Sequence, residues 1–147
     1  MKTYKAPERI SETEGKLIFL AGTIDMGHSV NWQQETEKFF AGKNCTILNP
    51  RRDDWDETWQ QKADNKQFAE QVNWELDAME KADIIVMNFL PGSQSPVSLL
   101  ELGLFAASGK LVVCCPDDYW RRGNVEIVCR KYGIPFFENI HHLLSSI

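Results

Sequence analysis

Glu101 is the single formally charged side chain between Ile84 and Gly109, a run of 26 residues, and it stands in the middle of SPVSLLELGLFAASG. A lone carboxylate in an apolar helix is costly unless something uses it, because desolvating a charge without a partner is strongly unfavourable. Desolvation also raises its pKa, which suits nucleophilic or acid–base work. A rim carboxylate on an ordinary helix explains the pattern equally well. A second carboxylate, Glu75, lies in QVNWELDAMEKAD two turns before an apolar strand. Asp77 is about 200° around the helix from it, so only one of the two faces a cleft. Asp77, Glu80 and Lys81 read as a solvated helix face.

Four loops carry the other unusual residues. AGTIDMGHS follows a strand and precedes a helix, with Gly22 and Gly27 easing close backbone approach. Amides at a helix N-terminus can receive an oxyanion or phosphate. The loop is neither a dinucleotide fingerprint nor a P-loop, and a plain turn fits it as well. His28 reads as a solvated loop residue rather than a base. The second loop, NPRRDDWDETW, gathers Arg51, Arg52, Asp53, Asp54, Trp55, Asp56 and Trp59. Aromatic planes can stack a base, and arginines can hold an anion or orient carboxylates. Two tryptophans in so polar a loop favour a binding role over a solvated charge cluster. The third loop, Leu90 to Ser98, leads into the Glu101 helix. In the fourth, PDDYWRRG, Asp117, Tyr119 and Trp120 are open to either a ligand contact or a routine turn.

These loops must be positioned by a scaffold. KLIFLAG, CTILNP, ADIIVMNF and KLVVCCP read as buried strands, with a fifth near Ile134–Phe136. Helical spacing runs over Trp32 to Phe40 and over Asn65 to Lys81, where Phe68, Val72, Leu76 and Met79 form one stripe. Ser95-Pro96 reads as the N-cap and first turn of the Glu101 helix, which Gly109 ends. Short helices follow at Asn124 to Lys131 and Glu138 to Ile147. The β-α-β-α alternation predicts an α/β domain: a flavodoxin- or Rossmann-like five-stranded parallel sheet with helices on both faces. In such sheets ligands bind outside the carboxyl ends of the strands, which is where the four loops lie. Residues 1–15 have no periodic apolar pattern and read as a flexible leader, leaving 16–147 as the domain.

Composition narrows the partners. A formal net charge of −5 argues against a nucleic-acid polymer, while 43% hydrophobic and 25% charged residues are ordinary for a soluble globular chain. No signal peptide or membrane segment is visible. Cys45, Cys114, Cys115 and Cys129 lack metal-ligand or redox spacing, and Cys114 and Cys115 should point to opposite sheet faces. They read as buried, reduced thiols, and the chain as cytoplasmic.

Taken together, IFLAGTID, NPRRDDWD, WELDAMEKADIIV and SPVSLLELGLFAASGKLVV resemble the nucleoside 2-deoxyribosyltransferase superfamily, in particular its divergent deoxyribosyltransferase-like branch. The resemblance covers roughly Leu17 to Phe137. It implies that Glu101 is the nucleophile that attacks the anomeric carbon, and that Glu75 protonates the leaving base. It implies that Gly22 and Thr23 line the sugar. With them, Asp25, Asn49, Arg51, Arg52, Trp55, Ser95 and Ser98 complete the candidate substrate site. Ser95 stands where transferases carry Asp and related 5′-monophosphate glycosidases carry Ser, which favours a nucleotide. Asp25 stands where those glycosidases carry a phosphate-binding Arg, which disfavours one unless Arg51 or Arg52 reaches across. The implied ligands are a nucleoside or nucleotide and a free base, with no metal or organic cofactor, and the implied assembly is a homodimer or larger. A non-catalytic nucleotide-sensing module is the alternative from another class. A cytokinin-type phosphoribohydrolase is disfavoured, because Pro91-Gly92 is followed by Ser-Gln-Ser rather than by a Pro-Gly-Gly-x-Gly-Thr motif.

Overall fold

The computed structural model describes residues 1–147. The apolar runs form strands β2 (Lys16–Gly22), β3 (Cys45–Asn49), β4 (Ile84–Asn88) and β5 (Leu111–Cys114). A short β6 follows at Phe136–Phe137. All pair in parallel, and the order across the sheet is β1-β3-β2-β4-β5-β6. Parallel strands need crossovers, and helices α1 (Trp32–Phe40), α2 (Lys66–Lys81), α3 (Pro96–Phe105) and α4 (Arg122–Tyr132) supply them, while α5 (Ile140–Ser145) follows the last strand.

Alternating strand side chains build two apolar layers. Phe19, Ala21, Ile85 and Met87 face Ala78 and Met79 of α2, Leu102 of α3 and Val125 and Cys129 of α4. Ile18, Leu20, Ile47 and Val86 face Trp32 and Phe40 of α1 and Leu143 of α5. Cys114 and Cys115 fall into different layers, as adjacent strand positions should. All four cysteines are buried and free.

The sheet has six strands, not five. The additional one, β1 (Lys2–Lys5), comes from the segment read as a leader and pairs with β3 from Lys2 opposite Thr46 to Lys5 opposite Asn49. Four residues with two lysines carry no apolar signature, yet lysines are what an edge strand uses to discourage further pairing. The rest of the segment is tied down too. The Tyr4 hydroxyl donates to the Glu12 carbonyl at 2.7 Å, and Trp74 Nε1 donates to the Glu8 carbonyl at 2.8 Å.

The last strand also sits later than Ile134–Phe136. Gly133, at φ +66°, ends α4, and Ile134 then packs into the core with its N–H on the Cys129 carbonyl. Pairing begins only at Phe136. No helix is long and apolar enough to cross a membrane.

Candidate active site

From β2 the chain steps outward to β3, then returns to the other side of β2 at β4, so the connections leaving β2 and β4 diverge. A crevice opens at the carboxyl end of such a switch point. There a cavity of about 290 Å³ is floored by Phe19 and Ala21. Its walls come from the loop after β2 (Gly22, Thr23, Asp25), the loop after β3 (Pro50, Arg52, Trp55), α2 (Gln71, Glu75) and the start of α3 (Ser95, Ser98, Glu101). Another depression of about 310 Å³, between α3 and α4, is lined by Leu99, Leu102, Gly103, Val125 and Val128 with Arg121 and Asn124. It contains no carboxylate, whereas the first holds both Glu75 and Glu101.

Glu101 is 7% exposed on α3, and Glu75 is half-buried on α2. Burial, reinforced by the nearby Glu75, pushes Glu101 up to about 8. Burial pushes Glu75 up to about 7, against the pull of Gln71 Nε2, which donates to Glu75 Oε1 at 2.8 Å. Two carboxyl groups with elevated pKa values thus face one cavity, and each disfavours ionisation of the other. Asp77 is exposed and takes no part.

A hydroxyl cluster forms the opposite chemical character. Ser93 Oγ donates to Asp25 Oδ1 at 2.7 Å, Ser93 and Ser95 hydroxyls lie 2.9 Å apart, and Ser95 and Thr23 hydroxyls 2.6 Å apart. Each hydroxyl has one proton to give, so with Ser93 committed to Asp25 the order runs Thr23 to Ser95 to Ser93 to Asp25. The Leu90 N–H donates to Thr23 Oγ1 at 3.0 Å and fixes its far end. Ser95 therefore does not cap α3 as its position predicts. It sits at φ +46° with no side-chain capping bond, and its hydroxyl belongs to this cluster, while Pro96 does open the helix. The non-glycine residues with positive φ are Asp25, Met26 and Ser95, and all three line the cavity. Such backbone costs about 1–3 kcal/mol per residue and persists where surrounding contacts over-determine it.

Two predicted substrate ligands stand outside the cavity. Arg51 turns beneath the first loop, where Nη2 donates to the carbonyls of Gly27 (2.6 Å) and Ser29 (2.9 Å). Its Nη1 donates to Ser29 Oγ, the Val30 carbonyl and Gln33 Oε1. Asn49 accepts from the Arg51 N–H and donates to Glu37, which aims Arg51 that way. Both are braces of the loop, and the two terminal nitrogens of this guanidinium are spent on the loop rather than on the cavity. Arg52 does line the cavity, held by a two-pronged pair with Asp54 at 2.9 and 3.0 Å and lying 5.0 Å above Trp59. Trp55 meets Trp59 edge-on at 5.2 Å.

His28 is exposed and paired with Glu57. The fourth loop braces the third: Tyr119 Oη and Trp120 Nε1 both donate to the Gln94 carbonyl, and Asp117 pairs with Arg122. No three His, Cys, Asp or Glu side chains gather as a metal-ligating group. Gln71 and Ser93 were not singled out by sequence. Gln71 had one available signal, its position four residues before Glu75 on the same helical face.

A family model described as "Nucleoside 2-deoxyribosyltransferase like" matches residues 15–119, a span that holds every residue lining this cavity. No curated protein matches the chain.

Proposed function

Because the chain belongs to the nucleoside 2-deoxyribosyltransferase-like family, we propose that it transfers or hydrolyses the N-glycosidic bond of 2′-deoxynucleosides through a glycosyl ester on Glu101. The observation that carries this reading is the pair of elevated carboxyls, Glu101 and Glu75, on one cavity. Glu101 attacks the anomeric carbon as the bond to the base nitrogen breaks. The bonding pair leaves with the base, which takes a proton from Glu75. An acceptor base, or water, then attacks the same carbon, returns Glu101 to its carboxylate and gives a proton back to Glu75.

The reaction needs Glu101 ionised and Glu75 protonated, and in the free protein burial raises both carboxyls. The positive charge that develops on the sugar beside Glu101 favours its anion and leaves the proton of the pair on Glu75. A bell-shaped dependence of kcat/KM on pH, centred on the singly protonated pair, follows from this coupling.

The sugar end fits an uncharged nucleoside better than its 5′-monophosphate. Asp25 sits in the wall, Arg51 is turned under the first loop and Arg52 is already paired with Asp54, so a phosphate dianion would meet a carboxylate. The assembly in this reading is a homodimer through the outer face of α3, where Val97, Leu100 and Leu104 are 58%, 63% and 59% exposed on one stripe. Val97 also lines the cavity, so the interface would border the site.

Glu101→Gln tests the reading. Base release and base exchange should vanish while the circular dichroism spectrum stays unchanged. Mass spectrometry of the wild type with a 2-fluoro sugar analogue should find the sugar on Glu101. Substantial turnover by Glu101→Gln would refute the assignment.

A further inference from the structure

The buried side-chain nitrogens and oxygens without a hydrogen-bond partner are Nη1 of Arg52, Nε1 of Trp55 and Oε1 of Gln71. All three belong to residues that line the carboxylate cavity. Folded proteins leave few such atoms, and each carries a desolvation cost until something pairs with it. Three among the residues around one cavity is a pattern rather than scattered imperfection.

The residues that bear them are held in place. The Arg52 side chain is 7% exposed and its other nitrogens grip Asp54. Gln71 is 4% exposed, and its amide can be oriented only one way: Nε2 donates to the Pro50 carbonyl and to Glu75, both at 2.8 Å, which leaves Oε1 as the free acceptor. The Trp55 ring is set by its edge-on contact with Trp59. What remains is two donors and one acceptor that solvent does not reach, so a base pairs with them only as the side chains around them part.

We infer that these three atoms read the polar edge of the heterocyclic base, and so determine which bases the enzyme accepts. Arg52 Nη1 and Trp55 Nε1 donate to carbonyl or ring-nitrogen lone pairs, and Gln71 Oε1 accepts from an N–H of the base. The inference rests on reading the cavity as a nucleoside site. It adds a requirement that the two carboxylates do not impose: the base must carry an N–H on the edge it presents. A base without one leaves Oε1 sealed and unpaired, the situation in which hydrogen-bonding sites reject an analogue most strongly. Gln71 also ties recognition to chemistry, because the amide whose oxygen meets the base holds the proton donor Glu75 through its nitrogen.

Two substrate pairs test this, each differing in the edge N–H: 2′-deoxyinosine against purine 2′-deoxyriboside, and 2′-deoxyuridine against its N3-methyl derivative. Wild type should favour the N–H member of the pair it accepts by about tenfold or more in kcat/KM. In Gln71→Met that ratio should fall to within about threefold, through loss on the N–H member. Trp55→Phe, which removes only the indole donor and keeps a ring, should slow both members. An unchanged ratio in Gln71→Met, or no preference in wild type, overturns the inference. Calorimetry with the free bases (hypoxanthine against purine, uracil against N3-methyluracil) separates the two claims. Tighter binding of the N–H base that Gln71→Met abolishes upholds recognition even where no turnover is seen, and absence of turnover then counts against the glycosyl reaction alone. Equal affinities overturn the recognition set.

Discussion

Glu101 and Glu75 tie the titration of the cavity to the stability of the whole chain. Both carboxyls bind protons more tightly folded than unfolded, at about 8 and about 7 against a usual 4.5. Between those values the folded state holds protons that the unfolded state has released, so stability falls as pH rises. Their contribution is complete below about 4.5 and is lost as pH passes through 7 to 8. Glu101→Gln cannot ionise and removes the Glu101 share of this loss. Calorimetric melting should therefore place it above wild type at pH 9, by a few degrees or more, with the gap closing toward pH 5. Parallel melting curves would contradict the elevated pKa. Arg51 makes a different kind of prediction. Since its terminal nitrogens are committed to the first loop, Arg51→Ala should impair turnover of thymidine and of thymidine monophosphate by the same factor. A loss confined to the monophosphate would return Arg51 to the substrate.

At the scale of elements, what could be foreseen depended on whether a residue's role was written in its neighbours in sequence. β2, β3, β4 and β5 are apolar runs bounded by glycine, proline or asparagine, and they fall within a residue or two of their expected limits. The Glu101 helix announced itself by its lone charge. β1 did not, because its pairing with β3 is a long-range event that leaves no local pattern. The same holds within the site. Thr23, Asp25, Arg52, Trp55, Ser95 and Ser98 reach one cavity because each lies in or beside a loop on the carboxyl edge, and Glu101 and Glu75 reach it from within α3 and α2. Arg51 and Arg52 are indistinguishable in sequence, and only the hydrogen bonds of the fold send one under the loop and the other to the cavity. Gly22 shows how tightly two elements can meet at that edge. At φ +123° its missing side chain faces Asn88 of β4, and an added Cβ would lie 2.2 Å from the Asn88 carbonyl oxygen. Gly22→Ala should cost at least about 2 kcal/mol, from backbone strain and a forced separation of β2 from β4. A chemical-denaturation midpoint equal to wild type would rule out that close approach.

For the molecule as a whole, two faces of the sheet are covered and one helical stripe is not. Val97, Leu100 and Leu104 leave α3 apolar outside as well as inside, which a lone particle in water does not require. Leu100→Glu should convert a dimer to monomers in analytical ultracentrifugation, and a wild type that sediments as a monomer would remove the proposed assembly. The sulfur atoms belong to this scale as well. Cys45 and Cys114 lie in one apolar layer, Cys115 and Cys129 in the other. Burial pushes Cys114 and Cys129 up to about 11 and Cys115 up to about 12, so the native protein offers an alkylating reagent almost no thiolate. Each alkylation event is then a timestamp on an opening of the structure. Because the four thiols are divided between the two layers, their relative rates form a two-channel clock. Synchronous labelling would mean that the halves of the protein come apart together, and a lag between channels would measure, in seconds or hours, how long one layer outlives the other.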